Sequence, residues 1–136
     1  MNTEFDTYLD ELQGKIQETY QRGVNLEQAE HFASELLGAL LTVSKELAKA
    51  DLDARMRKSG VKAIRSAVYL DEVQKADKKP SDTMLAAIVD SNDIVKGEQQ
   101  RFDESEVQKA ELDRIFSVLQ NAHIHYRTIA KGAFSG

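Results

Sequence analysis

The chain has 136 residues, the usual length of one domain, of which 41% are hydrophobic and 30% charged. It contains no cysteine, which excludes disulfides, iron–sulfur clusters, thiolate zinc sites and a cysteine nucleophile. No apolar run approaches the roughly 20 residues of a membrane span, and the acidic N-terminus is unlike a targeting peptide. We therefore expect a soluble cytoplasmic protein without a membrane partner.

Hydrophobic periodicity predicts an all-α fold, with helices over residues 1–22, 26–76, 82–100 and 104–131 of a single domain spanning 1–136. One proline and seven glycines are too few turn residues for an all-β chain. Capping and terminating residues set the predicted helix ends. These are Gly23 after the first helix, Asn25 with Gln28 before the second, Ser81 or Asp82 before the third, and Asp103 with Glu106 before the last. Ser91-Asn92-Asp93 is a candidate interruption within the third predicted helix.

The second predicted helix is unusually long and forms the central element of a helical hairpin or bundle. It contains no proline, and Gly38 and Gly60 stand isolated in it, so we favour a mostly continuous helix over two helices that break at either glycine. Leu36, Leu40 and Val43 are expected in a core or an interface. Because apolar residues lie on more than one side of this helix, we expect copies of the chain to cover it as a homo-oligomer. A compact four-helix monomer is the alternative.

The net charge of −5 is unevenly distributed along the chain. Residues 51–79 carry eight Lys/Arg against five Asp/Glu, whereas acids outnumber bases on both sides of this segment. No acid occurs between Asp53 and Asp71. An acidic protein with one concentrated basic segment has a candidate anion-binding surface there.

A helical wheel places the basic residues of this segment on one face. Arg55, Lys58, Lys62 and Arg65 fall within an arc of about 80°, and Tyr69 falls among them. We call these five residues the basic stripe. Cations one helical turn apart match a phosphate backbone, and the aromatic ring offers a stacking surface for an unpaired base. The alternative is a solvated face that pairs with acidic segments of its own fold or of a neighbouring subunit.

The opposite arc of the same helix is apolar and is expected to face the core. Its members are Leu52, Met56, Ala63, Ile64, Ala67 and Leu70.

Catalytic and metal-binding patterns are missing from the sequence. It has no phosphate-binding glycine loop and no nucleophile with a nearby base, so we expect neither an enzyme nor a cofactor. His123 and His125 point about 200° apart on a helix and cannot share one metal ion. We expect no metal site, and we expect His123 to be a helix-packing residue.

The order of several segments resembles the UvsY-type recombination mediators of tailed phages. The likeness covers about residues 42–131. It rests on Ser44-Lys45-Glu46-Leu47, the basic run from Arg55 to Arg65 with Tyr69 after it, Lys79-Pro80-Ser81-Asp82-Thr83-Met84, the segment from Val89 to Lys96, and the segment from Asn121 to Arg127.

This resemblance implies a closed homo-oligomeric ring that binds single-stranded DNA in the host cytoplasm. It also implies two protein partners, the phage recombinase and the single-strand-binding protein that the recombinase displaces. The family's DNA-contacting role would fall on Lys58, Lys62 and Arg65, with Arg55 next.

Two functions are consistent with the sequence. The first is a phage recombination mediator that binds single-stranded DNA without sequence preference through the basic stripe and assists recombinase loading. The second is a helical phage structural protein, or an inhibitor of host defence, whose basic stripe docks on an acidic protein surface.

Overall fold

A computed structural model of the chain describes residues 3–132, which form four α-helices and no strand. The helices are α1 (Thr3–Arg22), α2 (Leu26–Lys75), α3 (Asp82–Ser91) and α4 (Asp93–Gly132). The predicted all-α class with one long central helix is confirmed. Met1 and Asn2, with which the first predicted helix begins, lie outside the described residues.

The predicted boundary between the first two helices is correct, and α2 ends at Lys75, one residue before the predicted end. Gly23 has a positive φ of 77°, a backbone conformation that glycine adopts without the steric penalty of a Cβ. The Asn25 side chain accepts a hydrogen bond from the Gln28 N–H at 2.8 Å, and the Gln28 side chain accepts one from the Asn25 N–H at 3.2 Å. This reciprocal capping box starts α2, which continues unbroken through Gly38 and Gly60.

The boundary between the last two helices differs from the prediction. Helix α3 ends at Ser91 rather than at residue 100, and α4 begins at Asp93 rather than at 104. The Asn92 side chain caps α4 by accepting hydrogen bonds from the N–H groups of Ile94 and Val95. The predicted capping box at Asp103 is wrong, because that residue lies inside α4 and accepts a hydrogen bond from the Gln99 amide one turn earlier.

The domain expected from the chain length is organised as two compact units. The first contains the described residues up to Lys45 and those from Arg114 onward, and the second contains Glu46–Asp113. Helices α2 and α4 each contribute to both units, whereas α1 belongs to the first and α3 to the second. None of the described helices combines the length and apolar character needed to cross a bilayer.

The first unit holds the larger hydrophobic core, built from α1, the first half of α2 and the second half of α4. Leu36, Leu40 and Val43 are buried in it, as predicted. The Tyr126 ring packs edge-on against Phe32 with ring centroids 4.7 Å apart, and its hydroxyl shares a hydrogen bond with the Thr19 hydroxyl. The core comprises Leu9, Leu12, Ile16, Ala29, Phe32, Ala33, Leu36, Ala39, Leu40, Val43, Ile115, Leu119, Ala122, Tyr126 and Ala130.

The second unit, Glu46–Asp113, has a thinner core. Its buried apolar residues are Ala54, Val61, Leu85, Val89, Val95 and Leu112. Helix α3 starts at the N-cap Ser81, whose hydroxyl accepts a hydrogen bond from the Met84 N–H at 3.2 Å. Ion pairs join α2 to its neighbours in this unit, from Arg65 to Asp90 on α3 and from Asp51 to Lys109 on α4.

The predicted core face of α2 in this unit is wrong. Leu52, Met56 and Leu70 are 59%, 65% and 57% exposed, and Ala63 and Ala67 are exposed as well, although Ile64 is partly buried. The buried α2 residues are instead the small Ala54 and Val61, which lie about 20° and 40° from Arg65 on the wheel. Small side chains let helices approach closely, so the packed side of α2 runs beside the basic stripe rather than opposite it.

Candidate nucleic-acid interface

The five residues of the basic stripe lie on one continuous stretch of α2 within the second unit. Arg55, Lys58 and Lys62 are exposed, and Arg65 is partly exposed. The Tyr69 side chain is 37% exposed, so one part of it reaches solvent while the rest packs against the protein. The helix therefore presents four cations and one aromatic ring over about 21 Å of its length, at 1.5 Å per residue.

Two of the four cations are partnered by acids of the same unit. The Arg55 guanidinium lies 3.0 Å from the Asp51 carboxylate, and the Arg65 guanidinium lies 2.7 Å from the Asp90 carboxylate. Lys58 has no acidic partner within residues 3–132, and nor does Lys62. The uncompensated positive charge of the stripe is thus concentrated on two lysines that are one helical turn apart.

Asp51 holds one end of the stripe in place by binding two cations. Its carboxylate accepts a hydrogen bond from the Lys109 ammonium at 2.9 Å and lies beside Arg55. The Lys109 hydrogen bond, aided by the positive charge of Arg55, holds the pKa of Asp51 below its usual value. Asp51 in turn raises the pKa of Lys109. Both groups stay ionised at neutral pH, so the Asp51 carboxylate neutralises part of the charge of Arg55.

At the other end of the stripe, α2 and α3 enclose an open groove of about 580 Å³. Arg65, Tyr69 and Leu70 line it from α2, and Asp82 lines it from the first turn of α3. The remaining wall of α3 is apolar. A half-exposed aromatic ring beside a guanidinium, over an apolar wall, can accept a flat, partly apolar group that carries a negative charge nearby.

An exposed apolar strip runs along α2 next to the basic stripe. We define the apolar strip as Leu52, Met56, Ala63 and Leu70 together with the small polar residues Ser59 and Ser66 between them, all of which are exposed. These positions alternate in steps of four and three residues, the spacing of a coiled-coil seam. Exposed large side chains at this spacing are typical of a surface that contacts another protein.

The two histidines of α4 lie in separate surroundings in the first unit. The Nδ1 atom of His123 is 3.0 Å from the Ala33 carbonyl oxygen, so His123 joins α4 to α2, in agreement with its predicted packing role. The His125 ring stacks on Tyr20 with centroids 4.8 Å apart. Over residues 3–132, no group of three or more His, Cys, Asp or Glu side chains could hold a metal ion.

Sequence reasoning located the stripe but missed the acids that face it. Asp51 precedes Arg55 by four residues, a spacing that favours an ion pair on a helix and could have been used. Asp90 and Asp82 carry no comparable local pattern, because their approach to Arg65 and Tyr69 depends on the packing of α3 against α2.

The comparisons with known proteins add no further constraint on the site. No protein-family model, curated protein or solved structure matches this chain.

Proposed function

We propose that the protein binds single-stranded DNA through the basic stripe. The observation that carries this proposal is the pair Lys58 and Lys62, exposed one turn apart without acidic partners in residues 3–132, beside a half-exposed Tyr69. The lysines supply charge for consecutive phosphates, and the ring supplies a surface on which an unpaired base stacks. A base in duplex DNA is already stacked on its neighbours, so the aromatic contact favours a single strand.

The charge distribution of the whole chain favours DNA contact only along the basic stripe. The chain as a whole is acidic, with a net charge of −5, so a polyanion is repelled from most of its surface. We therefore infer that one strand follows α2 of the second unit and contacts few phosphates per protein copy. Such binding has no sequence preference in its phosphate contacts and weakens with salt.

The biological role that we propose is that of a phage recombination mediator. It rests on the resemblance of residues 42–131 to UvsY-type proteins. A mediator of this kind needs no cofactor and no bond chemistry, because it shifts the competition between a single-strand-binding protein and a recombinase for the same strand. Binding DNA while holding a recombinase nearby is sufficient for this role.

Self-association is part of this proposal, and the apolar strip is the surface that we assign to it. Its register is self-complementary when two copies of α2 pack antiparallel. Leu52 then faces Leu70 of the second copy, Met56 faces Ser66, and Ser59 faces Ala63. The small residues Ser59 and Ala63 at the centre of the strip allow the two helices to approach closely. The larger Leu52 and Leu70 pack against each other at both ends of the contact. The closed ring implied by the resemblance stays a prediction.

Light scattering after size exclusion tests this assignment. We expect the wild-type protein to elute with a mass of two or more copies at micromolar concentration, and we expect Ala63→Glu to elute as a monomer, because it places a charge in the centre of the apolar contact. Ala110→Glu, on an exposed alanine of α4, makes the same chemical change outside the strip and should leave the mass unaltered. A wild-type monomer would contradict the assignment.

The binding experiment is a fluorescence anisotropy titration of the protein into a labelled 20-nucleotide oligo-dT at about 50 mM salt. We expect saturable binding, because low salt strengthens every phosphate contact. An unlabelled duplex of the same length should compete less well than unlabelled oligo-dT. Absence of binding to oligo-dT would overturn the proposed function.

Releasing a partnered cation should strengthen this binding. We expect Asp51→Asn to raise the affinity for oligo-dT at least fivefold at about 0.1 M salt, since it frees the charge of Arg55 for one further phosphate and also releases Lys109 of α4. Asp53→Asn removes the same charge but frees Arg57, which lies outside the stripe, and should raise the affinity less. Equal gains from the two variants would mean that net charge, rather than the stripe, controls binding.

The second candidate function is an interaction protein whose basic stripe docks on an acidic protein surface. The apolar strip favours it, because protein interfaces combine an apolar centre with charged residues at the rim. Under this hypothesis oligo-dT does not bind at about 50 mM salt, and Lys62→Ala weakens capture of the acidic partner instead.

A further inference from the structure

The open groove between α2 and α3 has a volume of about 580 Å³, large enough for one nucleobase-sized group. Helix α2 contributes the Tyr69 ring, and α3 contributes Ala86 and Val89, which together make an apolar slot. Arg65 and Ser66 of α2 add polar groups to the same lining. Asp82 lies at the α3 end of the slot.

Asp82 is the negatively charged group of this groove that remains available to a ligand. The Arg65 guanidinium is already bound by Asp90 at 2.7 Å. The Asp82 carboxylate is exposed, and within residues 3–132 it forms neither an ion pair nor a side-chain hydrogen bond. An ionised carboxylate only accepts hydrogen bonds, so a ligand that reaches it must present an N–H or O–H group.

We infer that the groove takes one nucleobase, stacked on Tyr69, whose amino group donates a hydrogen bond to Asp82. This inference rests on the proposed binding of single-stranded DNA and specifies which bases its groove prefers. Cytosine presents an amino group where thymine presents a carbonyl oxygen. A carboxylate attracts the first and repels the second, so the groove discriminates between two pyrimidines of nearly equal size.

The test compares labelled 20-nucleotide oligo-dC and oligo-dT by anisotropy at pH 8 and about 50 mM salt. We expect the wild-type protein to bind oligo-dC about 3- to 10-fold more tightly, which corresponds to the net contribution of one ordinary hydrogen bond. In Asp82→Ala the ratio of the affinity for oligo-dC to the affinity for oligo-dT should fall to about 1. Asp82→Asn, whose amide can donate to the thymine oxygen, should lower the ratio as well and provides a second variant if the first fails to fold.

Asp93→Ala is the matched control. Asp93 is the first residue of α4 as Asp82 is of α3, so the substitution removes the same charge from an equivalent helix position, but Asp93 does not line the groove. Its ratio of oligo-dC to oligo-dT affinity should equal that of the wild type. Equal binding of the two oligonucleotides by the wild-type protein would overturn the base assignment while leaving single-strand binding intact. Failure to bind either one would overturn the proposed function itself.

Discussion

Replacing Lys58 and Lys62 together by alanine is expected to weaken binding to oligo-dT by about 25-fold at about 0.1 M salt. Each phosphate contact to a single strand releases about 0.7 counterion, so the affinity per contact changes about fivefold for a tenfold change in salt concentration. Relative to 1 M salt, where we take the contact to contribute nothing, each lysine therefore contributes about fivefold at 0.1 M. Both side chains are exposed, so the thermal unfolding of the variant should match that of the wild type. Anisotropy and circular dichroism measure the two properties.

The control for this variant is Lys49→Ala combined with Lys75→Ala. This variant changes the net charge by the same amount, and both lysines lie on α2. Lys49 is already paired with Glu46, and Lys75 is already paired with Asp71. Both residues lie outside the basic stripe. We expect less than a threefold loss of affinity, an estimate that allows for the weakening of the general electrostatic attraction. A loss as large as that of the stripe variant would show that no organised site exists on α2.

The largest expected effect on stability comes from Leu36→Ala in the core of the first unit. Leu36 is 0% exposed, so its truncation removes buried methyl groups and leaves a cavity, at a cost of about 2–5 kcal/mol in the free energy of unfolding. This is a large fraction of the stability of a typical domain. Urea unfolding followed by circular dichroism measures the change.

Leu41→Ala provides the comparison at a position five residues further along the same helix. Its side chain is 62% exposed, and we expect its loss to change the unfolding free energy by no more than about 0.5 kcal/mol. If Leu36→Ala unfolds at the same urea concentration as Leu41→Ala, then α2 does not present to the first unit the face described above.

Features of the fold that depend on residues close together in the sequence were predictable. The start of α2 follows from Asn25 and Gln28, which cap each other across one turn, and the end of α1 follows from Gly23. The continuity of α2 follows from the lack of proline within it. The segment Ser91-Asn92-Asp93 is an interruption candidate in the sequence, and the single extended residue Asn92 makes the break before α4 there.

The orientation of α2 in the second unit could not be predicted from hydrophobicity. The pattern of Leu52, Met56 and Leu70 indicates a buried face, yet all three are exposed, because the helix packs through Ala54 and Val61. Small residues contribute little to a hydrophobic pattern, although they allow the closest helix contacts. Whether an apolar face is covered by the chain itself or by another molecule is not encoded in its periodicity.

The position of the stripe was predictable, but its effective charge was not. Helical spacing is sufficient to bring Lys58, Lys62 and Tyr69 onto one side of α2. The neutralisation of Arg65 by Asp90 depends on how α3 packs, over 25 residues of separation. The same packing creates the groove beside Tyr69.

The salt dependence of oligo-dT binding tests the central claim most directly. With Lys58 and Lys62 each contacting a phosphate, a plot of the logarithm of the association constant against the logarithm of the salt concentration should have a slope of about −1.4 or steeper. The slope for the double alanine variant should be shallower by about the same amount. A wild-type slope near zero, or equal slopes for the two proteins, would contradict phosphate binding by the basic stripe.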